Sequence, residues 1–162
     1  MGKWKDKYKD SWEVSTKREK RAKSLIENFG YKLITIGFLA ESQEYSKEHP
    51  KEKGIPDYWI ENTNIYIEVT GTNSKNVKEQ YPIWVRPDKV EYALNHTDKE
   101  CWLVHIIDAL DLIRMIKLDR CQYAPVQTKL GDEKYHIVPA DQMINPDTFK
   151  ERIKDGREIV PN

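Results

Sequence analysis

The sequence predicts a single α/β domain in which a mixed β-sheet carries helices on its faces. Three stretches predict it. Residues 57–70 read as two strands joined by a tight polar turn, because apolar and polar residues alternate on both sides of Asn62-Thr63. Cys101-Trp102-Leu103-Val104-His105-Ile106-Ile107 is a nearly continuous apolar run of strand length, as expected of a buried central strand. Residues 17–29 place Ala22, Leu25, Ile26 and Phe29 on one helical stripe. Strand and helix patterns that alternate along 162 residues fit one layered domain.

The other elements follow in order. Residues 1–15 form a basic, aromatic N-terminal arm, with Trp4, Tyr8 and Trp12 set among lysines, and the domain proper covers 16–162. Such an arm can stack on bases, or fold back as an amphipathic flap. Thr16 and Glu19 fit a capping box that opens the first helix, and Gly30 fits its stop. Tyr31 to Gly37 reads as a strand around Lys32-Leu33-Ile34-Thr35-Ile36, and 41–54 as a long polar loop. After the hairpin, Gly71 to Gln80 is a second polar loop and Ile83-Trp84-Val85 a short strand. Pro87 starts a helix through about Leu94. Asp108 caps an expected helix over 109–117, on the spacing of Leu110, Ile113 and Ile116. Lys134 to Val138 is a strand, and Asn145-Pro146 opens a last helix with Phe149 and Ile153 inward and Gly156 at its end.

Composition limits function. Lys+Arg and Asp+Glu are both 27, so the chain is not a globally basic nucleic-acid binder. The charge is uneven, however. Residues 1–23 hold nine basic residues against four acids, an excess that can meet phosphates or form a solvated helix face. Two distant cysteines make neither a zinc site nor a disulfide framework, which fits a reducing cytoplasm. No apolar stretch is long enough for a membrane span. His105 lies in an apolar strand and reads as a core residue; His49 and His96 read as surface, and His136 alternates with apolar residues.

The chemistry sits in the hairpin. Centred on Asn62-Thr63, it opposes Ile60 with Ile65 and Tyr58 with Ile67 on one apolar face. On the other face Trp59 meets Tyr66, and Asp57 meets Glu68. Opposed side chains have Cβ atoms roughly 5 Å apart, and like charges there repel. A hard divalent cation, which takes oxygen ligands, is the natural compensation.

The early helix acid Glu19, Ile55-Pro56-Asp57, Ile65-Tyr66-Ile67-Glu68-Val69 and the helix and apolar strand that follow resemble the PD-(D/E)xK nuclease superfamily. The likeness spans roughly Lys17 to Asp108, and its spacing is most similar to archaeal Holliday-junction resolvases. It implies a restriction-endonuclease-like fold and metal-dependent hydrolysis of DNA, with branched or foreign DNA as candidate substrates. Asp57, Glu68 and the main-chain carbonyl of Val69 would hold Mg²⁺ or Mn²⁺, and Glu19 matches an additional helix carboxylate. A homodimer is expected from the resemblance alone.

One position departs from the pattern. The family has a lysine two residues after the glutamate, and here Thr70 stands there. Thr70 shares a strand face with Glu68 but carries no charge. Lys75, Lys78 and Lys89 are the candidates to supply the missing cation, with Lys89, near the start of the 87–94 helix, first. Lys17, Lys20, Lys75, Lys78 and Arg86 are candidate nucleic-acid contacts, with Gln80 and Tyr81 beside them. Each reading has a plainer counterpart. Glu19 fits a helix cap, Asp57 fits a turn after proline, and Thr70 fits an ordinary strand residue. The whole chain also admits two other readings: a nucleic-acid-binding or assembly subunit that kept the fold without catalysis, and an unrelated α/β domain with an acidic edge.

Overall fold

The computed structural model describes residues 2–37, 54–72, 75–129 and 133–156. Helix α1 runs Gly2–Asn28, so its backbone continues back through the expected arm. Neither glycine nor proline interrupts the chain between Lys3 and Phe29, and nothing else in it forces a helix start at Thr16. Thr16 is therefore a helix-interior residue, and the capping box expected there does not form. The stop at Gly30 does form. Gly30 takes a φ of 97°, with Gly30 N–H donating to Glu27 O at 2.9 Å and Tyr31 N–H to Ile26 O at 3.4 Å.

Five strands make the main sheet: β1 (Leu33–Thr35), β2 (Tyr58–Ile60), β3 (Ile65–Thr72), β5 (Glu100–Ile107) and β6 (Leu112–Lys117), in the order β1-β2-β3-β5-β6. Among the described residues only β3 and β5 pair in parallel, from Ile65 opposite Glu100 to Thr72 opposite Ile107. Parallel neighbours need a crossover. Here it contains β4 (Ile83–Val85) and helix α2 (Pro87–Asn95). A second sheet, β4-β8-β7, is built from β4, β7 (Val126–Lys129) and β8 (Glu133–Val138), all antiparallel. Helix α3 (Pro146–Gly156) starts where Asn145 Oδ1 accepts from Thr148 N–H at 2.8 Å. The result is the mixed sheet with helices expected from the sequence.

The core lies on both sides of β5. On one face Ala22 and Ile26 of α1 and Phe149 and Ile153 of α3 pack against Tyr58, Ile60, Ile65, Ile67, Trp102, Val104 and Ile106. On the other, α2 and the small sheet bring Val85, Val90, Ala93 and Val138 against Cys101, Leu103 and Ile116. No helix among the described residues is long and apolar enough to cross a membrane.

Residues 109–117 are not a helix. Asp108–Leu110 make one 3-10 turn, Asp111 takes a left-handed φ of 50°, and β6 returns antiparallel to β5. Ile113, Arg114, Met115 and Ile116 are all buried. A strand covered on both faces loses the alternation that marks strands, and the Leu110, Ile113, Ile116 spacing then imitates a helical stripe. Strand β7 carries no comparable signal and was not expected. The loop expected at 41–54 lies outside the described residues, apart from Gly54.

Candidate active site

The hairpin turn fixes the register. Asn62 adopts a left-handed φ of 66°, a conformation asparagine tolerates. Thr63 donates to Ile60 O from both its N–H, at 3.2 Å, and its hydroxyl, at 2.7 Å. The same hydroxyl accepts from Ile65 N–H at 3.0 Å, and Trp59 Nε1–H donates to Thr63 O at 2.7 Å. β2 and β3 then pair Tyr58 with Ile67 and Trp59 with Tyr66. Continued by one residue, this register puts Asp57 opposite Glu68. Tyr58, Ile60, Ile65 and Ile67 enter the core beside α1, which leaves Asp57 and Glu68 for the other face.

Asp57 is held from two directions. Its carbonyl accepts from Ile36 N–H at 3.0 Å and Gly37 N–H at 3.2 Å. A Cβ at Gly37 would lie 2.6 Å from Pro56 O, so glycine is what lets β1 end against this segment. The carboxylate Oδ2 accepts from Val69 N–H at 2.8 Å. Glu68 is buried, and its partner arrives from α2. Lys89 Nζ stands 2.9 Å from Glu68 Oε2 and 3.4 Å from Ile55 O. Gly54 makes this possible: with a φ of 85°, it meets the first turn of α2 so closely that a Cβ would be 2.4 Å from Asp88 O.

Both acids resist ionisation. Burial raises the Asp57 carboxyl well above the ordinary carboxylate range, and the Glu68 charge raises it further, against the Val69 N–H and Lys89. Burial also raises Glu68, against Lys89, its hydrogen bond to Asp57 and Arg86. Burial and their mutual repulsion favour a bound proton or a nearby cation at this pair. Glu68 Oε2 is buried, and the Lys89 ammonium 2.9 Å away is its charged neighbour. Two buried carboxyls opposed across a hairpin are oxygen donors of the kind a hard divalent cation takes.

Glu19 is buried on α1, near enough for its charge to push Asp57 up. Its helix packs on the opposite sheet face, where Ile65 and Ile67 point. Among the described residues no three His, Cys, Asp or Glu side chains converge closely enough to hold a metal ion. Thr70 lies half-buried on β3, in register with His105. Lys17 and Lys20 are exposed on α1, and Lys75 and Lys78 are exposed after β3. Gln80 and Tyr81 are exposed beside them. Arg86 is exposed and paired with Asp88 at 2.6 Å. Of the three lysines weighed for the missing cation, Lys89 reaches Glu68.

Two arginines that sequence reasoning passed over organise the surroundings. Arg18 donates to Asp108 from Nε at 3.0 Å and from Nη2 at 2.6 Å, tying α1 to the end of β5. Arg114 is buried in β6 and donates through Nη1 to Glu79 O at 2.7 Å and Tyr81 O at 2.9 Å. It thereby anchors the segment that carries Lys78. A lone arginine inside an apolar run was the signal for it. His105 is a core residue, as expected; it contacts Arg114 Nη2 at 3.4 Å, and burial with the Arg114 charge lowers its pKa to about 3.

A structure of Hjc, a Holliday junction resolvase from the archaeal hyperthermophile Archaeoglobus fulgidus, superposes with a TM-score of 0.52 at 12% identity, over 83% of this chain and 98% of that one. The chain shares the fold of this resolvase. D212, a nuclease from a fusselovirus, aligns over 91% of each chain at 14% identity, with a TM-score of 0.45. No family model and no curated protein matches the sequence. The nuclease-like fold expected from the resemblance is thus the fold found. At this identity the likeness concerns the fold, and the chemistry rests on the residues described above.

Proposed function

We propose that the chain is a metal-dependent endonuclease that hydrolyses phosphodiester bonds in DNA. The observation that carries this reading is the opposition of Asp57 and Glu68 across the hairpin, with Lys89 2.9 Å from Glu68. The fold shared with a Holliday junction resolvase supports it and suggests branched DNA among the substrates. Asp57, Glu68 and the Val69 carbonyl would hold Mg²⁺ or Mn²⁺. When bound, the ion polarises the scissile phosphate and lowers the pKa of an attacking water. The Val69 N–H fixes Asp57 Oδ2, which orients the carboxylate. Lys89 takes the place of the family lysine from a different element. Its ammonium balances Glu68 and can stabilise the charge that develops on the phosphate. Glu19 biases Asp57 as a nearby negative charge.

The test is nicking of duplex, single-stranded and four-way-junction DNA with Mg²⁺ or Mn²⁺. Cutting should vanish in Asp57→Ala and Glu68→Ala while each variant keeps its circular dichroism. Absence of cutting of every substrate with either ion sinks the proposal. Thr70 in the lysine position favours the second reading, a nucleic-acid-binding subunit without catalysis. That reading predicts DNA binding with no metal-dependent cleavage.

A further inference from the structure

The small sheet presents an aromatic strip beside the candidate site. β4 and β8 pair Ile83 with Val138, Trp84 with Ile137 and Val85 with His136. Ile83 and Val85 are each 2% exposed and face the core, so Trp84 and Ile137 face outward. Arg86 remains extended, with φ −67° and ψ 133°. It therefore continues the strand on the outer face, opposite Tyr135. Trp84 is 47% exposed, and its ring centroid lies 6.4 Å from that of Tyr135. The Arg86 side chain is 58% exposed. Its charge is felt by both Tyr135 and Glu68. The strip of Ile137, Trp84, Tyr135 and Arg86 leads into α2, where Lys89, 2.9 Å from Glu68, follows one helical turn after Arg86.

Two neighbouring rings tilted by 41°, with an exposed guanidinium at one end that also pairs with Asp88, suit unpaired bases attached to phosphates. Aromatic faces stack on any base, and arginine meets the backbone. A second copy of the chain fits less well. A standard interface covers about 800 Å² per partner and excludes charge from its centre. This strip is four residues wide, with Arg86 in it and Glu133 hydrogen-bonded to Tyr135 at 2.6 Å.

We infer that Trp84, Tyr135 and Arg86 form a stacking platform for single-stranded or unpaired nucleotides of the nucleic acid that enters the site. The inference rests on the nuclease reading for its substrate class. Its test is separate, because it measures binding without cleavage.

The experiment follows fluorescence anisotropy of a labelled oligothymidylate of about twelve nucleotides, within the range one stacking surface tracks. A duplex of the same length is the control, and EDTA is present throughout. Trp84→Ala should weaken single-strand binding about tenfold, the scale of one lost base stack. Trp84→Phe should restore most of it, and duplex binding should stay level. Tyr135→Ala should act in the same direction, which covers a Trp84→Ala protein that fails to fold. Equal loss on both substrates, or loss on neither, overturns the inference. So does sedimentation showing that the wild type is a dimer and the Trp84 variant a monomer, since the face then belongs to a second copy. A chain that prefers single strands in EDTA yet cuts nothing with metal overturns the nuclease reading alone.

Discussion

Lys89 Nζ and Glu68 Oε2 stand 2.9 Å apart, and both side chains are largely buried. The pair joins the crossover helix to the central hairpin at the position where two carboxylates already repel. Lys89→Met should lower metal-dependent nicking by two orders of magnitude or more, the usual scale for losing a charge aimed at the reacting group. It should also destabilise the metal-free protein by about 1–3 kcal/mol, because a buried acid loses its partner but can still take up a proton. Urea unfolding in EDTA measures the second effect. An unchanged midpoint would show that the ion pair contributes nothing to the fold.

Thr70 occupies the place where the resemblance calls for lysine. If Lys89 supplies that cation from α2, a lysine at 70 can supply it again. Thr70→Lys in a Lys89→Met background should recover at least a tenth of wild-type nicking, while Thr70→Met should not. Equal activity in the two double variants would mean that charge at this position is irrelevant.

Asp57 and Glu68 are both raised, so the native state binds their protons more tightly than the unfolded chain does. Without divalent ions, stability should therefore fall as pH climbs from the ordinary carboxylate range through the raised native values. Asp57→Asn removes one of the two charges and keeps an oxygen to accept from Val69 N–H. Its melting temperature in EDTA at pH 7 should exceed that of the wild type. Mn²⁺ should raise the wild-type melting temperature and leave that of the variant nearly unmoved. Scanning calorimetry with and without ion decides both points.

His105 works in the opposite direction. Its native pKa of about 3 lies below the ordinary 6.5, so the native state refuses a proton that the unfolded chain accepts. Its contribution is fully present above pH 6.5 and is lost as pH falls towards 3, at up to about 1.4 kcal/mol per pH unit. His105→Gln keeps an acceptor for Arg114. Between pH 6.5 and 5 the variant should lose stability less steeply than the wild type in denaturant titrations.

The hairpin was legible because one of its faces is apolar and the other carries the polar residues Asp57 and Glu68. That asymmetry writes alternation into Tyr58 to Ile60 and Ile65 to Glu68, and Asn62-Thr63 marks the turn. Helices α2 and α3 were legible from proline at the first position, with Phe149 and Ile153 as the inner stripe of α3. β6 was not, since burial of Ile113 through Ile116 on both faces erased the period. The length of α1 was hidden because apolar periodicity reports packing, and a helix can run on beyond it. Glu19 fitted a cap only so long as the helix was taken to start beside it. Lys89 could be ranked first among three lysines, but its contact with Glu68 could not be read, because that contact depends on the fit of α2 against Gly54. That fit depends on contacts distant in sequence.

The parallel pairing of β3 with β5 also bears on the order of assembly. Asp57 and Glu68 come together in a hairpin of near neighbours, whereas Lys89 arrives only when the crossover closes and α2 docks. Local pairings form before distant ones. During refolding the two acids should therefore meet before their ammonium is in place, and a free cation can stand in for it. Stopped-flow refolding should be faster with Mn²⁺ than with EDTA for the wild type and indifferent to the ion for Asp57→Asn. Equal acceleration of both would place the effect of the ion elsewhere in the chain.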